Sequence, residues 1–356
     1  MTGAVYEVGA LMALDDFMVG GFDCTQFDMY VGTSAGAFLA TLLAAGVRPR
    51  ALARSIVHDT GDYMPARRSD VFRVDARHFM GGVRDVGKIL GAFLVRGARR
   101  RELPLAELWK DLEDALPAGL FTLDHFERWL TEVLSSHDLP TQFARMRREL
   151  YITANDLESG HRAVFGDGAL ADVPVPKAIC ASSAIPVFFE PVTIFGRDYI
   201  DGAAGKVGHL DIALHKGAEL LVVINPRVPI QVDFKSELPS AILGARRIRD
   251  KGLLTVYEQA QRMSTRTKLH LGIRRYRLQY PRARILLVEP HENDADMLLA
   301  NPMNFAVRRR ILRYGYDSAA RWLLEKHEEF ARACAPWRIT CDPSKLRGRP
   351  WELWGA

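Results

Sequence analysis

The chain has 356 residues, of which 48% are hydrophobic and 26% are charged, with a net charge of +5. This composition is that of a globular protein and excludes disordered, collagen-like and disulfide-scaffold chains. Four cysteines are too few and too scattered for a disulfide framework or a Cys-x-x-Cys metal site, so we expect no metal and a reducing, cytoplasmic environment.

The positive charge is concentrated in one stretch. Arg246–Arg284 contains twelve Lys and Arg residues and only two acidic residues. Such a stretch favours an anionic partner surface, either lipid headgroups or nucleic acid, and a solvated helix face is the alternative. No nucleic-acid motif accompanies it and stacking aromatic residues are few, so nucleic acid is not the expected partner.

We expect no targeting signal at the N-terminus. Met1–Phe17 has no basic region before its apolar residues and carries three acidic residues, unlike a signal peptide. The uncharged run Tyr30–Val47 is barely long enough for a membrane span and contains three glycines. We therefore expect a buried strand, turn and helix there, in a cytoplasmic protein that is at most peripheral on a membrane.

Hydrophobic spacing predicts an α/β fold with a largely parallel central sheet. Continuous apolar runs indicate that two of its strands are buried on both faces, over Leu220–Ile224 and Ile285–Val288. A hairpin is predicted where Val192–Phe195 and Tyr199–Ile200 flank a short turn. The remaining predicted elements, in chain order, are a helix over Gly3–Phe17, a strand over Phe27–Val31, a helix over Ala37–Ala45 and a strand over Leu150–Ala154.

We expect one domain over residues 1–333, with a helical insertion or cap near 62–120 and a C-terminal tail over 334–356. Within the insertion, an apolar face is flanked by arginines and by Lys88. Such a helix either lies at a membrane surface or packs on the protein's own core. The apolar residues of this face are Val86, Ile89, Leu90, Phe93 and Leu94.

The sharpest chemical signal is the pentapeptide Gly-Thr-Ser-Ala-Gly between the predicted strand and the helix at Ala37. Ser34 is its central residue, and Gly32, Thr33, Ala35 and Gly36 surround it. A serine on such a tight turn is exposed at a helix N-terminus, whose partial positive charge favours a developing oxyanion. This context predicts that Ser34 is a catalytic nucleophile.

Three residues compete as the base for Ser34. Only 33 residues precede Ser34, which argues against the ordinary hydrolase scaffold with its Ser-Asp-His order. His291 follows a predicted strand but also reads as part of a plain polar loop. Asp201, at the end of the hairpin and followed by Gly202, can reach a neighbouring serine, and Asp198 is its competitor.

These residues together resemble the patatin-like phospholipases. Gly3–Leu11 is similar to the first helix of that family, Gly32–Gly36 to its nucleophile elbow, and Asp201-Gly202-Ala203 to its Asp-Gly-Ala/Gly motif. The resemblance extends to Ala181–Pro186, Asn301–Met303, Arg308–Arg310 and Tyr314–Tyr316. It implies a three-layer α/β/α fold and a Ser34–Asp201 dyad that hydrolyses acyl esters without calcium or another cofactor.

One departure concerns the glycine-rich oxyanion loop, Gly-Gly-Gly-x-Arg/Lys-Gly in the family. Met1 takes the x position, Thr2 stands where a basic residue is usual, and Gly3 takes the last position. We expect the true start to lie upstream of Met1, with the missing glycines and the first strand. Because one oxyanion donor contributes roughly 3–4 kcal/mol, a chain that begins at Met1 should be weak or inactive.

The sequence therefore predicts hydrolysis of fatty acyl esters of phospholipids or lysophospholipids, with Arg246–Arg284 holding the enzyme to anionic lipid. The alternative is a non-catalytic lipid- or partner-binding module that keeps the fold without a complete oxyanion hole. The sequence does not indicate an oligomeric state.

Overall fold

The computed structural model describes residues 2–65, 67–71, 118–206, 208–231, 247–290 and 307–347. Its helices are α1 (Thr2–Phe17), α2 (Ala35–Ala44), α3 (Pro49–His58), α4 (Asp124–Ser136), α5 (Val175–Ser183), α6 (Leu210–His215), α7 (Leu253–Gln279), α8 (Arg308–Glu325) and α9 (His327–Cys334). Its strands are β1 (Met18–Val19), β2 (Met29–Thr33), β3 (Gly119–Phe121), β4 (Glu149–Asp156), β5 (Arg162–Phe165), β6 (Val187–Phe189), β7 (Val192–Ile194), β8 (Arg197–Asp201), β9 (Leu220–Ile224), β10 (Arg284–Val288) and β11 (Thr340–Cys341).

The predicted elements are present within a few residues of their expected ends. Helices α1 and α2, strands β2, β4, β9 and β10, and the β7–β8 hairpin all occur, so the mixed α/β class is confirmed. The hairpin turn uses positive φ at Phe195 and Gly196, as the tight primed turns require. The three-layer arrangement and the domain limits stay predictions.

The expectation of a largely parallel sheet is wrong. The main sheet has the order β2-β4-β8-β7, and β5 also pairs with β4. Only β2 and β4 are parallel in it, whereas β4–β5, β4–β8 and β7–β8 are antiparallel. Short connections account for two of these pairs, β4–β5 and β7–β8, because a link of a few residues between sequential strands permits only antiparallel pairing. Strands β4 and β8 are distant in the sequence, so their pairing is set by the tertiary fold.

The predicted two-sided burial of Leu220–Ile224 is also wrong. Of the five residues in β9, only Leu221 is buried, whereas β10 buries three of its five. Among the described residues β9 pairs with β10 alone, in a parallel two-stranded sheet. An apolar run shows that a strand can be buried, but burial on both faces also needs other elements packed over each face of the sheet.

Helix α1 is buried by close packing against α8. A Cβ atom added at Gly9 would lie 2.3 Å from the backbone oxygen of Leu312, and one at Gly315 would lie 2.3 Å from that of Tyr6. Glycine is therefore required on both helices, since the backbones touch directly. This contact fixes α1, whose first turn reaches the loop between β2 and α2.

A second, smaller hydrophobic cluster joins α6, α7, β9 and β10. Leu210, Leu269, Ile273 and Ile285 are among its buried members. All four cysteines are free, although the thiols of Cys334 and Cys341 are close enough to hydrogen-bond. Among the described residues, no helix combines the length and the apolar character needed to cross a membrane.

Several predicted features lie outside the described residues. They are most of the insertion near 62–120, the apolar face at Val86–Leu94, His291, Asn301–Met303, Met1 and the end of the tail beyond residue 347.

Candidate active site

Ser34 occupies a strained turn between β2 and α2. Its backbone has φ 55° and ψ −125°, a combination that non-glycine residues rarely adopt. Ser34 is the N-cap residue of α2, yet its side chain makes no capping hydrogen bond. Ser34 is half-buried and stands at a helix N-terminus, where backbone N–H groups lack intrahelical partners.

Gly32 makes this turn possible. A Cβ atom at Gly32 would lie 2.5 Å from the Cα of Ala37 and 2.6 Å from the backbone oxygen of Gly36. No side chain fits there, because the first turn of α2 folds directly back over β2. At Gly36 the nearest atom to an added Cβ is the Glu7 carboxyl, 3.8 Å away, which is ordinary contact.

A buried serine, Ser182, links the Ser34 turn to the neighbouring strand by hydrogen bonds. The backbone N–H of Ser34 donates to the Ser182 hydroxyl at 2.8 Å, and that hydroxyl donates to the backbone oxygen of Thr153 at 2.7 Å. The hydroxyls of Thr33 and Thr153 are 2.7 Å apart. Ser182 is fully buried, so these bonds tie the strained turn to α5 and β4 without water.

The sheet register brings Asp201 to the same level as Ser34. Thr33 pairs with Thr153 across β2 and β4, and Asp201 pairs with Ala154 across β4 and β8. Ser34 follows β2 and Asp201 ends β8, and these two strands lie on either side of β4. Their backbones are about 10 Å apart at this level, so the two side chains can approach each other over β4.

Gly202 allows the chain to turn immediately after Asp201. A Cβ atom at Gly202 would lie 2.4 Å from the backbone oxygen of Thr153. The side-chain amide of Asn155 also donates to the backbone oxygen of Asp201 at 2.8 Å. The Asp-Gly pair is thus held directly over β4.

The Asp201 carboxyl is almost fully buried, with 3% exposure. Its Oδ1 accepts the backbone N–H of Ala203 at 2.8 Å, whereas Oδ2 has no hydrogen-bond partner. Burial raises the pKa of Asp201, while the nearby Ser34 hydroxyl, the Ala203 N–H and the charge of Arg227 act in the opposite direction. A buried carboxylate with a raised pKa and an unpartnered oxygen beside a serine is suited to accept a proton.

An ion-pair cluster holds the far end of the loop that follows Asp201. Asp211 accepts hydrogen bonds from Arg162 at 2.8 and 2.9 Å and is 2.7 Å from Lys206. Although burial opposes it, these two cations hold the pKa of Asp211 well below its usual range. Burial lowers the pKa of neighbouring His209 to about 4, so this histidine is neutral at pH 7.

The competing carboxylate, Asp198, lies elsewhere on the hairpin. Its side chain accepts from the Thr193 hydroxyl at 2.5 Å, and its backbone oxygen accepts from Leu157. Asp201 pairs with Ala154 of β4, whereas Asp198 bonds to Leu157, three residues further along the chain. The backbone of Asp198 therefore lies about 10 Å from that of Asp201 along the strand direction.

The predicted oxyanion residues lie at the start of α1. Helix α1 begins at Thr2, and Gly3 packs beside the turn, with an added Cβ 3.9 Å from the Cβ of Ala35. The N-termini of α1 and α2 therefore meet next to Ser34. Each contributes unsatisfied N–H groups and partial positive charge.

Sequence reasoning missed two charged residues at this site. Glu7, one turn into α1, has its carboxyl beside Gly36, and burial raises its pKa to about 8. Arg227 is half-buried and close enough for its charge to act on Asp201. Glu7 is part of the first-helix pattern, but nothing in that pattern marks it as buried. Arg227 has no motif at all.

A family model gives the general class of the protein. The family model described as Patatin-like phospholipase matches residues 1–213. The uncharacterized protein YqhO of Bacillus subtilis strain 168 is 26% identical over 176 residues, which are 48% of this chain and 49% of that protein. The chain thus spans about half the length of this curated relative.

One similar solved structure is the crystal structure of VipD from Legionella pneumophila. It is 14% identical, with a TM-score of 0.36, and the match covers 92% of this chain and 65% of VipD.

Proposed function

The chain belongs to the patatin-like phospholipase family, and we propose that it hydrolyses fatty acyl esters of phospholipids or lysophospholipids through a Ser34–Asp201 dyad. One observation carries this assignment. The buried, unpartnered Oδ2 of Asp201 stands beside a serine in a strained turn at a helix N-terminus. Acyl transfer needs this pairing of an accessible nucleophile with a base that no other group occupies.

Acylation begins when the Ser34 Oγ attacks the ester carbonyl carbon and its proton passes to Asp201 Oδ2. The carbonyl oxygen becomes an oxyanion. As the tetrahedral intermediate collapses, the bond to the alcohol oxygen breaks and Asp201 returns the proton to that leaving group. The products of this step are the alcohol and an acyl ester on Ser34.

Deacylation repeats the sequence with water. Asp201 takes a proton from water as the water oxygen attacks the acyl carbon, and it then protonates Ser34 Oγ as the acyl bond breaks. A fatty acid leaves and the free enzyme is restored. The N-termini of α1 and α2 favour both oxyanions, because their N–H groups and dipoles are fixed before the reaction.

Arg227 supports a phosphate-bearing substrate. Its charge acts on Asp201, and a Cβ atom added at Gly3 would lie 3.6 Å from the Cγ of the preceding Pro226. Arg227 therefore follows a residue that lies beside the start of α1, on the side of the site where the ester would bind. Arginine is the residue best suited to phosphate recognition, because its planar group donates two parallel hydrogen bonds.

The test is release of fatty acid from a phospholipid in detergent mixed micelles. We expect wild type to release fatty acid, Ser34→Ala to release none, and Asp201→Asn to fall by about 10²–10⁴-fold in kcat, the usual contribution of a general base. The matched control is Asp198→Asn, which removes a carboxylate from the same strand and should keep wild-type activity. Equal activity in Ser34→Ala and wild type would contradict the proposal. A folded wild type that is inactive both as residues 1–356 and with a longer N-terminal segment carrying the glycine-rich loop would favour the non-catalytic module.

A further inference from the structure

The outer side of α7 carries an apolar ridge, formed by Leu253, Val256, Met263, Leu271 and Leu278. These residues recur at helical spacing and are 83%, 44%, 55%, 59% and 86% exposed, respectively. Positions three, four, seven or eight apart lie on one face of a helix. They make up much of the exposed large apolar surface of the described residues, and we call them the outer ridge.

The opposite side of α7 already packs on the protein. Thr265, Leu269 and Ile273 are buried, and the last two belong to the cluster formed with β9 and β10. The helix thus has its own buried face, and packing within the described residues does not account for the ridge. Exposed apolar side chains aligned on the outer side of a helix whose opposite side is buried are typical of an interaction surface.

Positive charge flanks the ridge. Arg274, Arg275 and Arg282 are exposed, and none of the three forms an ion pair with a carboxylate of the described residues; we call them the arginine cluster. The two acidic residues of this stretch, Asp250 and Glu258, lie toward its other end and face Arg249 and Arg262. The last turns of α7 and the segment just after the helix therefore present uncompensated positive charge.

We propose that the outer ridge and the arginine cluster form a docking surface for an anionic lipid membrane. Apolar side chains on a helix that also carries basic residues can bury in the headgroup region while the arginines contact lipid phosphates. Charge complementarity selects this occupant, because a neutral apolar partner would leave the arginines unpaired.

The surface lies on the helix that contacts the loop after Asp201. Lys268 Nζ donates to the backbone oxygen of Gly205 at 3.3 Å, and Lys206 Nζ lies 5.7 Å from the centre of the Tyr276 ring. Docking through α7 would therefore hold the Asp201 loop at the lipid surface. This consequence rests on the proposed function, whereas membrane binding itself does not.

Binding is measured by co-sedimentation of the full chain carrying Ser34→Ala, so that hydrolysis cannot alter the vesicles. The vesicles contain phosphatidylglycerol and phosphatidylcholine, or phosphatidylcholine alone. We expect binding to the anionic vesicles that falls by about tenfold or more in Met263→Ser/Leu271→Ser/Leu278→Ser, and similarly in Arg274→Gln/Arg275→Gln/Arg282→Gln.

Two controls match these variants in chemistry but lie away from α7. Leu120→Ser/Leu157→Ser/Leu324→Ser removes exposed apolar residues, and Arg54→Gln/Arg145→Gln/Arg338→Gln removes exposed arginines. Both should bind as the parent does. Controls that weaken binding as much as the α7 variants would overturn the proposal, as would equal binding to both vesicle types or none by folded protein.

Activity separates this proposal from the assignment of function. In chains that keep Ser34, the ridge variant should hydrolyse a short, soluble ester at the wild-type rate but lose hydrolysis of vesicle lipid. Soluble-ester hydrolysis without vesicle binding would overturn the docking surface and leave the proposed function standing. Vesicle binding as expected without any ester hydrolysis would overturn the proposed function and leave the docking surface standing.

The oligomeric state of the ridge variant is a further outcome. A ridge variant that only converts a dimer to a monomer would identify the ridge as a contact between copies and overturn the proposal.

Discussion

Replacing Glu7 with glutamine should stabilise the protein increasingly as pH rises. Glu7 is 8% exposed, and burial raises its pKa from 4.5 to about 8. An acid with a raised pKa binds its proton more tightly in the folded state than in the unfolded state. Stability is therefore fully retained below pH 4.5 and is lost as pH rises toward 8. Glutamine has nearly the same shape and never ionises, so it removes this loss.

The magnitude follows from the size of the shift. About 3.5 pKa units at 1.36 kcal/mol each set an upper limit of roughly 5 kcal/mol above pH 8. Between pH 5 and pH 8 the free energy of unfolding of wild type should fall relative to Glu7→Gln by about 3–4 kcal/mol.

Urea unfolding at several pH values measures this difference directly. Glu132→Gln is the control, because Glu132 is exposed on α4 and its replacement should leave the pH dependence unchanged. A difference in the free energy of unfolding between Glu7→Gln and wild type that stays constant from pH 5 to pH 8 would contradict this prediction. It would mean that Glu7 ionises in the folded protein as readily as in the unfolded chain.

Three further predictions test the packing and the site. Gly315→Ala should lower the free energy of unfolding by more than about 2 kcal/mol, because the new Cβ would lie 2.3 Å from the backbone of α1. The control Gly272→Ala, at a helical position with room for a Cβ, should raise it by about 0.5–1 kcal/mol. Equal effects of the two changes in urea unfolding would contradict the close contact of α1 with α8. Ser182→Ala should cost about 1–3 kcal/mol in the same measurement, because it removes the acceptor of the part-buried Ser34 N–H and the donor to the Thr153 backbone oxygen; an unchanged midpoint would refute that support. Arg227→Leu should move the acid limb of the pH–rate profile on a soluble ester to higher pH, since the arginine charge lowers the pKa of Asp201; an unmoved limb would place Arg227 away from the base.

Local patterns predicted the elements but not how all of them pair. The elbow at Ser34 was recognisable, because a strand, a Gly-x-Ser-x-Gly turn and an apolar helix follow each other directly in the sequence. The antiparallel pairing of β4 with β8 was not, since it depends on which strands become neighbours. The half-exposure of β9 has the same origin: an apolar run shows that a strand can be buried, not that neighbours cover it.

The site divides in a similar way. The motif residues were recognisable in the sequence, and their roles stay predictions. In the structure Ser34 and Asp201 follow strands on either side of β4, and Gly3 lies beside Ala35. Glu7 and Arg227 were not predicted as site residues, because their importance comes from burial and proximity across elements distant in sequence.

The exposed ridge on α7 could not be foreseen either. A helix that is apolar on two sides has no clear amphipathic signal, so only the fold reveals which of its sides faces outward.

The proposed mechanism depends on Ser34 being a nucleophile that Asp201 activates. Labelling with a fluorophosphonate, followed by peptide mapping in the mass spectrometer, measures this reactivity. We expect one adduct on Ser34 in wild type, no adduct in Ser34→Ala, and labelling slowed at least about a hundredfold in Asp201→Asn. An adduct on another residue, or labelling of Asp201→Asn at the wild-type rate, would contradict it.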